Sequence, residues 1–361
     1  MILRFKFILL FFIAFSSVVY GENLPSERSP LTIAVIGDQQ VPIRKKEFYP
    51  SFIRQIEWLS ENAEAINLRF VTQVGDIIEN GHVHEQWKLA DAAMAVLDGG
   101  INADGKKGIP WNVAYGNHEV NFKEKGSDPS GKKADLFRSY FGGNTISTHR
   151  YSNQKSFKRV SSNELNTYHI IQGAGEKSGR QFLMLNLEYD VPGHKKDSKV
   201  LEEDRPKFDA IQWAQGVLDQ HHKMPTVITT HVFEGKKYGP PNRPYSKGPG
   251  RNSQIQIFEK LVRNNPQVFL VLSGHTSEDS HQVKTNDAGY KVLQLVTDYN
   301  KVLPHGGGGY MRLIKIDESK ETLAVKTFTP GIPQDPEPKY RKGPKSEFTV
   351  RFDWNKRFPK E

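Results

Sequence analysis

Short apolar runs alternate with amphipathic segments along the first third of the chain. Apolar runs typical of buried strands cover residues 32–36, 70–74 and 109–115. Between these runs, apolar residues recur at helical spacing over residues 51–65 and 87–97. The order strand, helix, strand, helix, strand predicts parallel strands that are joined by right-handed crossovers.

The second half of the chain predicts another sheet, which begins with a hairpin. Ser253 and Gln256 have the spacing of a capping box, so a helix is expected to begin there. An earlier helix is predicted at residues 208–218. The predicted strands are 167–172, 181–186, 226–230 and 268–273, and then, alternating like antiparallel strands, 290–297, 310–316, 322–329 and 347–353.

Several of the predicted strands end in a polar side chain that can bind a metal ion. At the third strand, Gly116 allows a sharp turn, and a polar trio that ends in Glu119 follows it directly. Ligands and catalytic groups collect at the carboxyl ends of strands in open α/β sheets. The strand-end residues are Asp38, Asp76, Asn117 with His118, His231 and His275.

These residue types, in this order, resemble the metal-binding motifs of the calcineurin-like metallophosphoesterases. The resemblance extends from Thr32 to about Pro330. It implies an α/β fold, a four-layer α/β/β/α metallophosphoesterase sandwich, with which the predicted order of elements is compatible. It also implies an enzyme in which a metal-activated hydroxide hydrolyses phosphate monoesters or diesters.

The resemblance assigns a role to each motif residue. Asp76 occupies the position that bridges two divalent metal ions, and Asp38 would bind one of them. His118 would protonate the leaving oxygen as general acid. Mn, Fe, Zn, Mg and Ca all stay open as the metal, although oxygen-rich ligation favours the harder ions. The ligands implied for the other metal are Asn117, His231 and His275.

Two departures from the family pattern affect the metal that Asp38 would bind. Gln40 stands where the first motif usually has histidine, and Ser277 stands where the last motif usually has a second histidine. Gln40 can still offer an amide oxygen, as in a subgroup related to the calcineurin-like phosphoesterase domain-containing phosphatases. His281 and Glu278 are alternative ligands, although a surface role is the simpler interpretation for both. The departures favour a second hypothesis, a catalytically weak or silent metal-binding protein on the same fold.

The amino terminus has the features of a secretory signal peptide. Arg4 and Lys6 precede a short apolar run, and small residues follow it, which predicts a signal peptide over residues 1–21. The alternative, an uncleaved membrane anchor, is disfavoured because the apolar run is short. The sequence therefore predicts an exported protein, periplasmic or extracellular in a bacterium, without stable membrane insertion after cleavage.

The composition of the chain limits the kinds of ligand and binding partner that are expected. The chain has 361 residues and no cysteine, which excludes disulfides and thiolate ligands. The formal charge of +9 falls to +7 when the two basic residues of the signal peptide are removed, 9 − 2, and a basic protein favours small anionic substrates such as phosphate esters. Basic and aromatic residues do not interleave in a repeat, so no dedicated nucleic-acid binding is expected.

The predicted organisation has one main domain. A linker covers residues 22–31 and the phosphoesterase domain residues 32–330. Within the domain, residues 121–177 lose periodicity and are interpreted as an insertion over the site. Residues 331–361 are expected to form a Pro- and Lys-rich strap followed by a strand. The basic loop 232–251 follows His231 closely enough to line the cleft and attract an anionic substrate, and a solvated surface loop is the alternative interpretation.

Overall fold

A computed structural model describes most of the predicted domain. The described residues are 30–120, 134–142, 151, 154–173, 180–189, 191–193, 208–233, 251–276, 279–302 and 306–359. The predicted signal peptide and nearly all of the predicted linker lie outside them. So do Ser277, Glu278, and large parts of the insertion 121–177 and of the loop 232–251.

Strands and helices alternate in the described residues much as the apolar pattern predicts. The strands are Leu31–Ile36 (β1), Leu68–Gln73 (β2), Trp111–Val113 (β3), Phe157–Val160 (β4), Thr167–Gln172 (β5), Gln181–Leu187 (β6), Thr226–Thr230 (β7), Val268–Ser273 (β8), Asp279–Thr285 (β9), Lys291–Thr297 (β10), Met311–Asp317 (β11), Thr322–Thr329 (β12), Lys339–Arg341 (β13) and Glu347–Arg351 (β14). The helices are Gln40–Arg44 (α1), Tyr49–Glu61 (α2), His84–Gly99 (α3), Asp135–Tyr140 (α4), Ala210–Gln220 (α5), Gln254–Ile257 (α6), which continues as a π-helical turn over Phe258–Val262, and Trp354–Arg357 (α7).

The strands form two sheets. The first has the order β13-β12-β11-β1-β2-β3, with β14 also paired to β12. The second has the order β4-β5-β6-β7-β8-β10-β9. The predicted parallel pairing of the first three strands is confirmed, since β1 pairs with β2 and β2 with β3 in parallel. The predicted hairpin is confirmed as the antiparallel pair β5 and β6.

Three hydrophobic clusters show that the sheets and helices form four layers. Along β1, Ile33 and Val35 pack in a cluster that joins the inner faces of both sheets, where Phe70 and Phe269 also lie. Alternate residues of β1 face the other way, because side chains of a strand point to opposite faces. There they pack against α2 and α3, while α5 and α6 cover the outer face of the second sheet. This is the α/β/β/α sandwich that was expected.

The structure corrects the prediction for β10. We expected the strands after residue 290 to be antiparallel, but β10 pairs with β8 in parallel and with β9 antiparallel. Its residues from Val292 onward are all buried, which is typical of a parallel strand covered on both faces. The sequence did not predict β9, because this edge strand has few apolar residues and is only partly buried.

The segment after residue 330 joins the first sheet. β13 lies within the predicted strap 331–345, and both β13 and β14 pair with β12. A sheet edge offers backbone hydrogen bonds to a polar segment, so hydrophobicity did not reveal this strand. After β14, Trp354 is 1% exposed, and its ring lies 4.9 Å from the ring of Phe269 in the cluster between the sheets.

Among the described residues, no helix is long and apolar enough to cross a membrane.

Candidate metal centre

The predicted site residues follow the carboxyl ends of β1, β2, β3, β7 and β8. Two of them have left-handed backbone conformations, with φ of 54° at Asp76 and 73° at His275. Residues other than glycine rarely adopt this conformation, and when they do they often belong to functional sites. Gly75, at φ 96°, must be glycine for a second reason, since a Cβ there would lie 2.7 Å from Nδ1 of His231. The turn after β2 therefore packs tightly against the end of β7.

The structure brings three predicted ligands into one group. One ligand atom of each of Asp76, His231 and His275 lies within 4.8 Å of the others. Nε2 of His231 is 3.0 Å from Oδ2 of Asp76 and 3.1 Å from Oδ1 of Asn117. The rings of His231 and His275 meet edge to face with centroids 5.1 Å apart. Among the described His, Asp and Glu side chains, this is the group with metal-binding spacing.

A backbone carbonyl fixes the orientation of His231. Its Nδ1 lies 2.9 Å from the oxygen of Val74, and a carbonyl oxygen only accepts hydrogen bonds. Nδ1 therefore carries a proton, and Nε2 is the nitrogen that faces the oxygens of Asp76 and Asn117. Metal-binding histidines are usually held in this way, with the second nitrogen donating to a carbonyl or carboxylate.

Asp38 lies beside the triad of Asp76, His231 and His275, but it does not belong to the group whose ligand atoms are all within 4.8 Å of one another. The N–H of His275 donates to both oxygens of Asp38, at 3.3 and 3.1 Å. A Cβ at Gly274 would lie 2.1 Å from Oδ1 of Asp38, so only glycine permits this approach. The first and last predicted motifs are therefore in direct contact, although Asp38 and His275 are 237 positions apart in the chain.

Gln40 also reaches the centre, through its amide nitrogen. Nε2 of Gln40 donates to Oδ2 of Asp76 at 2.6 Å. Its amide oxygen, the atom that the sequence offers to a metal, accepts a hydrogen bond from Nδ2 of Asn300. The structure thus brings Gln40 to the predicted bridging carboxylate, and it also places Asn300, which the sequence did not indicate, next to Gln40.

His118 lies at the rim of the centre and is partly accessible. Its backbone N–H donates to Oδ1 of Asp76 at 2.9 Å, and its side chain is 34% exposed. Nδ1 is 2.8 Å from the carbonyl oxygen of Glu79, so Nδ1 carries a proton here too. Nε2 is 4.0 Å from Oδ2 of Asp76 and is the nitrogen that faces the centre.

Glu119 is a site residue whose role the sequence analysis missed. Its Oε2 accepts hydrogen bonds from the N–H groups of Gly116 at 2.6 Å and Asp76 at 2.9 Å, and Oε1 accepts from Ile78 at 3.3 Å. The side chain is 1% exposed. Its position directly after His118 was the available signal, because a glutamate in a strand-end turn can bind the N–H groups of a neighbouring turn.

Buried charges of both signs act on one another in the centre. Burial raises the pKa of Asp76, but the charge and hydrogen bond of His231 lower it below its usual value overall. Burial lowers the pKa of His231, but Asp76 and then Glu119 raise it to about 9. Burial and the charge of Asp76 raise the pKa of Glu119 to about 7. Burial and the charge of His231 lower the pKa of His275 to about 3.

The alternative ligand His281, and Arg251 at the end of the basic loop, have other side chains as neighbours. The ring of His281 stacks on Phe348 with centroids 3.7 Å apart, and burial, followed by the charge of Arg312, lowers the pKa of His281. At the end of the basic loop, the guanidinium of Arg251 is 3.5 Å from Glu188 and 5.9 Å from the ring centre of Tyr189.

Comparison with known proteins agrees with this geometry. A family model for the calcineurin-like phosphoesterases matches residues 31–279, which is more than half of the chain. The chain belongs to this family. The uncharacterized protein YvnB of Bacillus subtilis is 27% identical over 325 residues, which cover 88% of this chain and 21% of YvnB. The chain therefore spans much less than two thirds of that relative.

Two solved phosphatase structures are similar to this calcineurin-like chain. A dimetal phosphatase from Danio rerio is 16% identical, with a TM-score of 0.48, over 90% of this chain and all of that one, 100%. A purple acid phosphatase from yellow lupin (Lupinus luteus) seeds is 13% identical, with a TM-score of 0.52, over 91% of this chain and 55% of that one. At 13% identity, the second similarity shows the fold alone.

The family suggests divalent metal ions, and the residues of the centre fit them. Carboxylate, amide and imidazole groups converge there, and hard or borderline divalent ions bind such a donor set. Two hydroxyl groups beside the centre, of Thr276 and Thr297, are buried and make no hydrogen bond with the described part of the chain. Buried polar atoms of this kind usually have an ion or ordered water as partner. The triad would hold one ion.

Proposed function

We propose that this chain is a metal-dependent phosphoesterase that hydrolyses small phosphate monoesters or diesters. The observation that carries the proposal is the contact of His231 with both Asp76 and Asn117, with Nε2 of His118 4.0 Å from Asp76 on the partly exposed side. Asp76, Asn117 and His231 supply oxygen and nitrogen ligands for a metal ion, and His118 supplies a proton next to them. The ligands assigned to one metal are Asp76, Asn117, His231 and His275, and those assigned to the other are Asp38, Asp76 and Gln40.

The chain's own residues have distinct tasks in this reaction. When bound, divalent ions acidify water and neutralise charge on phosphoryl oxygens. Asp76 keeps a low pKa because His231 lies beside it, so its carboxylate stays charged and able to bind cations at neutral pH. His118 keeps Nδ1 on the carbonyl of Glu79, so that Nε2 is the nitrogen that delivers a proton to the leaving oxygen.

Glu119 has a supporting task, which follows from its three backbone contacts. By accepting the N–H groups of Gly116, Asp76 and Ile78, it holds the turn after β2 against the turn after β3. These turns carry the predicted bridging carboxylate on one side and Asn117 with His118 on the other. The distance between the metal ligands and the proton donor therefore depends on one buried carboxylate.

A weak or silent metal-binding protein is the second candidate function. It is favoured by Gln40, whose amide oxygen accepts a hydrogen bond from Asn300 and whose nitrogen faces Asp76. In that arrangement Gln40 satisfies Asp76 without a second metal. The position of His118 favours an enzyme instead, because this partly exposed histidine directs Nε2 at the centre, where it can deliver a proton.

Hydrolysis of two model substrates tests the proposed function. Purified protein without residues 1–21 is treated with a chelator and then assayed on p-nitrophenyl phosphate and bis-p-nitrophenyl phosphate with added Mn²⁺. We expect metal-dependent turnover of at least one of the two esters, and we expect Asp76→Asn to abolish it. Metal binding without turnover of either ester would support the silent binding protein, and no metal binding would reject both functions.

We also propose that the protein is exported. The support is the charged, apolar and small-residue order of residues 1–21, which are followed by a domain without cysteine. Expression of the full chain in a bacterium, fractionation, and mass spectrometry of the mature amino terminus test this. We expect the processed protein to begin near Glu22 and to appear outside the cytoplasm. An unprocessed chain in the membrane fraction would favour an anchor.

A further inference from the structure

The ring of His118 is held by one peptide group of the loop between β2 and α3. Nδ1 of His118 lies 2.8 Å from the carbonyl oxygen of Glu79, which can only accept a hydrogen bond. The carboxylate of the same residue is farther away, with Oε2 4.0 Å from Nδ1. The carbonyl is therefore the group that orients the ring and leaves Nε2 on the side of the centre.

Gln86, in the first turn of α3, holds the other side of that peptide group. The carbonyl of Glu79 and the N–H of Asn80 belong to one peptide unit, which is planar and trans, so the two groups point in opposite directions. Oε1 of Gln86 accepts the N–H of Asn80 at 2.8 Å and the N–H of Glu79 at 3.0 Å. One amide oxygen thus fixes the peptide whose opposite side faces His118.

The side chain of Gln86 projects from a part of α3 that is itself fixed. Gln86 is 8% exposed, and its neighbour Trp87 is fully buried and donates from Nε1 to the carbonyl of Gly81 at 3.0 Å. A Cβ at Gly81 would lie 2.6 Å from the carbonyl oxygens of Glu119 and Val120, so the loop also packs against the turn after β3. The loop therefore has little freedom to rotate the peptide group.

A helix-capping role does not account for the contacts of Gln86. A glutamine at the third position of a helix typically accepts the N–H of the residue just before the helix, which is Val83 here. The N–H of Val83 donates to the carbonyl of Asn80 instead, at 2.9 Å. Gln86 reaches farther back along the chain, to the peptide group whose carbonyl holds His118. The contact thus connects α3 to the proton donor.

We propose that Gln86 is a positioning residue for the proton donor, which acts on His118 through the peptide between Glu79 and Asn80. The inference rests on the proposed phosphoesterase function. In the reaction, Nε2 gives its proton to the leaving oxygen, and the neutral ring that remains keeps its other proton on Nδ1. Gln86 keeps the acceptor of that second proton in place, so that Nε2 stays directed at the leaving oxygen.

Gln86→Met tests the inference, because methionine has nearly the length of glutamine but no strong acceptor. Wild type and variant are assayed with Mn²⁺ on phenyl and p-nitrophenyl esters of the same class. We expect kcat on the phenyl ester, whose leaving oxygen needs a proton, to fall by roughly 10- to 100-fold, as for other misplaced groups. The p-nitrophenyl ester should lose much less. KM and the affinity for Mn²⁺ should stay as in wild type.

Three further variants separate the peptide contact from other effects. Gln86→Glu keeps an acceptor oxygen for both N–H groups and should restore most of the activity on the phenyl ester. Arg44→Gln breaks the 2.8 Å ion pair with the side chain of Glu79 but leaves its peptide untouched, and it should behave as wild type because exposed ion pairs stabilise little. Gln212→Met, at an exposed position of α5, is the matched control for the substitution itself.

The outcomes distinguish failure of the inference from failure of the proposed function. An unchanged Gln86→Met, or an equal loss on the two esters, would overturn the inference and leave the phosphoesterase function intact. The same holds if Arg44→Gln loses as much as Gln86→Met. Wild-type protein that hydrolyses neither ester would overturn the proposed function, and the inference with it. A selective loss in Gln86→Met that Gln86→Glu restores supports the inference.

Nitrogen-15 NMR of histidine-labelled, metal-free protein tests the inference without turnover. The signals of a neutral histidine show which ring nitrogen carries the proton, and those of His118 are identified by their absence from His118→Ala. At high pH we expect the proton on Nδ1 in the wild type and a mixture of both forms in Gln86→Met. A wild-type His118 with its proton on Nε2 would overturn the inference, whether or not Gln86→Met folds.

Discussion

The carboxylate of Glu119 accepts the backbone N–H of Asp76 at 2.9 Å, although the two residues follow different strands. Asp76 has a φ of 54°, a conformation that needs support from its surroundings. The same carboxylate oxygen accepts the N–H of Gly116 at 2.6 Å. One buried side chain therefore holds the predicted bridging residue in a strained conformation and aligns the turn that carries His118.

Replacement of Glu119 tests this alignment. Glu119→Gln has nearly the same shape but replaces one acceptor oxygen with an N–H₂ group, which faces backbone donors. We expect metal affinity and kcat/KM to fall by roughly 10- to 100-fold, as for other groups that orient metal ligands. Glu337→Gln, on an exposed segment, is the control and should match wild type. Unchanged metal affinity in Glu119→Gln would remove it from this role.

His118→Ala tests the assignment of the proton donor. We expect kcat to fall by roughly 10²–10⁴-fold on esters with poor leaving groups, because these need a proton as the bond breaks. Esters with an acidic leaving group should lose much less. His222→Ala, which removes an exposed histidine from the turn after α5, serves as control. Equal losses on both kinds of ester would contradict the general-acid role.

Asp76→Asn tests the predicted bridging ligand. The substitution keeps the size of the side chain and its acceptor for the N–H of His118, but it removes the charge that holds cations and balances His231. We expect loss of both metal occupancy and activity, with the fold retained. Metal analysis, a turnover assay and circular dichroism of the same preparation measure the three quantities. Full activity in this variant would show that Asp76 does not bridge.

The two metal sites are expected to differ in affinity. The site with two imidazoles should retain its ion through purification, whereas the site around Asp38 should exchange freely, so that added divalent metal raises activity. Metal analysis beside an activity titration measures this. Ser277→His, which restores the family's usual ligand, should tighten the exchangeable site. Two ions retained through dialysis against a chelator would contradict the predicted difference.

The stability of the metal-free protein is expected to fall as pH rises from about 6.5 to about 9. The pKa of His231 is about 9 in the folded protein and 6.5 in its ordinary, unfolded environment. The contribution of His231 to the free energy of unfolding is therefore complete below pH 6.5 and is lost as pH rises through 9. Because the pKa of Glu119 is raised to about 7, its contribution to stability also falls as pH rises to about 7. The shift of His231 corresponds to a loss of unfolding free energy on the order of 3 kcal/mol.

Thermal unfolding measures this pH dependence in the presence of a chelator. A bound divalent ion would supply positive charge next to Asp76 in place of the proton, so added Mn²⁺ should raise the melting temperature more at pH 9 than at pH 6.5. His231→Gln should remove most of the slope over this range. A metal-free protein whose stability rises between these pH values would contradict the charge relationships described for the centre.

The sequence by itself determined most of the strands, the longer helices and the positions of most polar strand ends. Apolar runs such as 32–36 are long enough to be buried on both faces, and helical spacing over 51–65 gives one apolar side, so local pattern and tertiary fold agree. The resemblance of the strand-end motifs to those of the family also implied that Asp38, Asp76 and His231 would belong to one centre, although the strands before them lie in two sheets. The structure has Asp76 and His231 in contact, with Asp38 beside them.

Only the tertiary structure decided which atoms meet there. Three contacts join segments that are distant in sequence. They are the contacts of Glu119 with Asp76, of Asn300 with Gln40, and of Thr297, at the end of β10, with Gly37. β9 and β13 are edge strands stabilised by backbone hydrogen bonds to a neighbour, which leave little hydrophobic pattern in the chain. Hydrophobic periodicity reports which face of an element is buried, whereas the register between elements fixes which buried polar groups share one site.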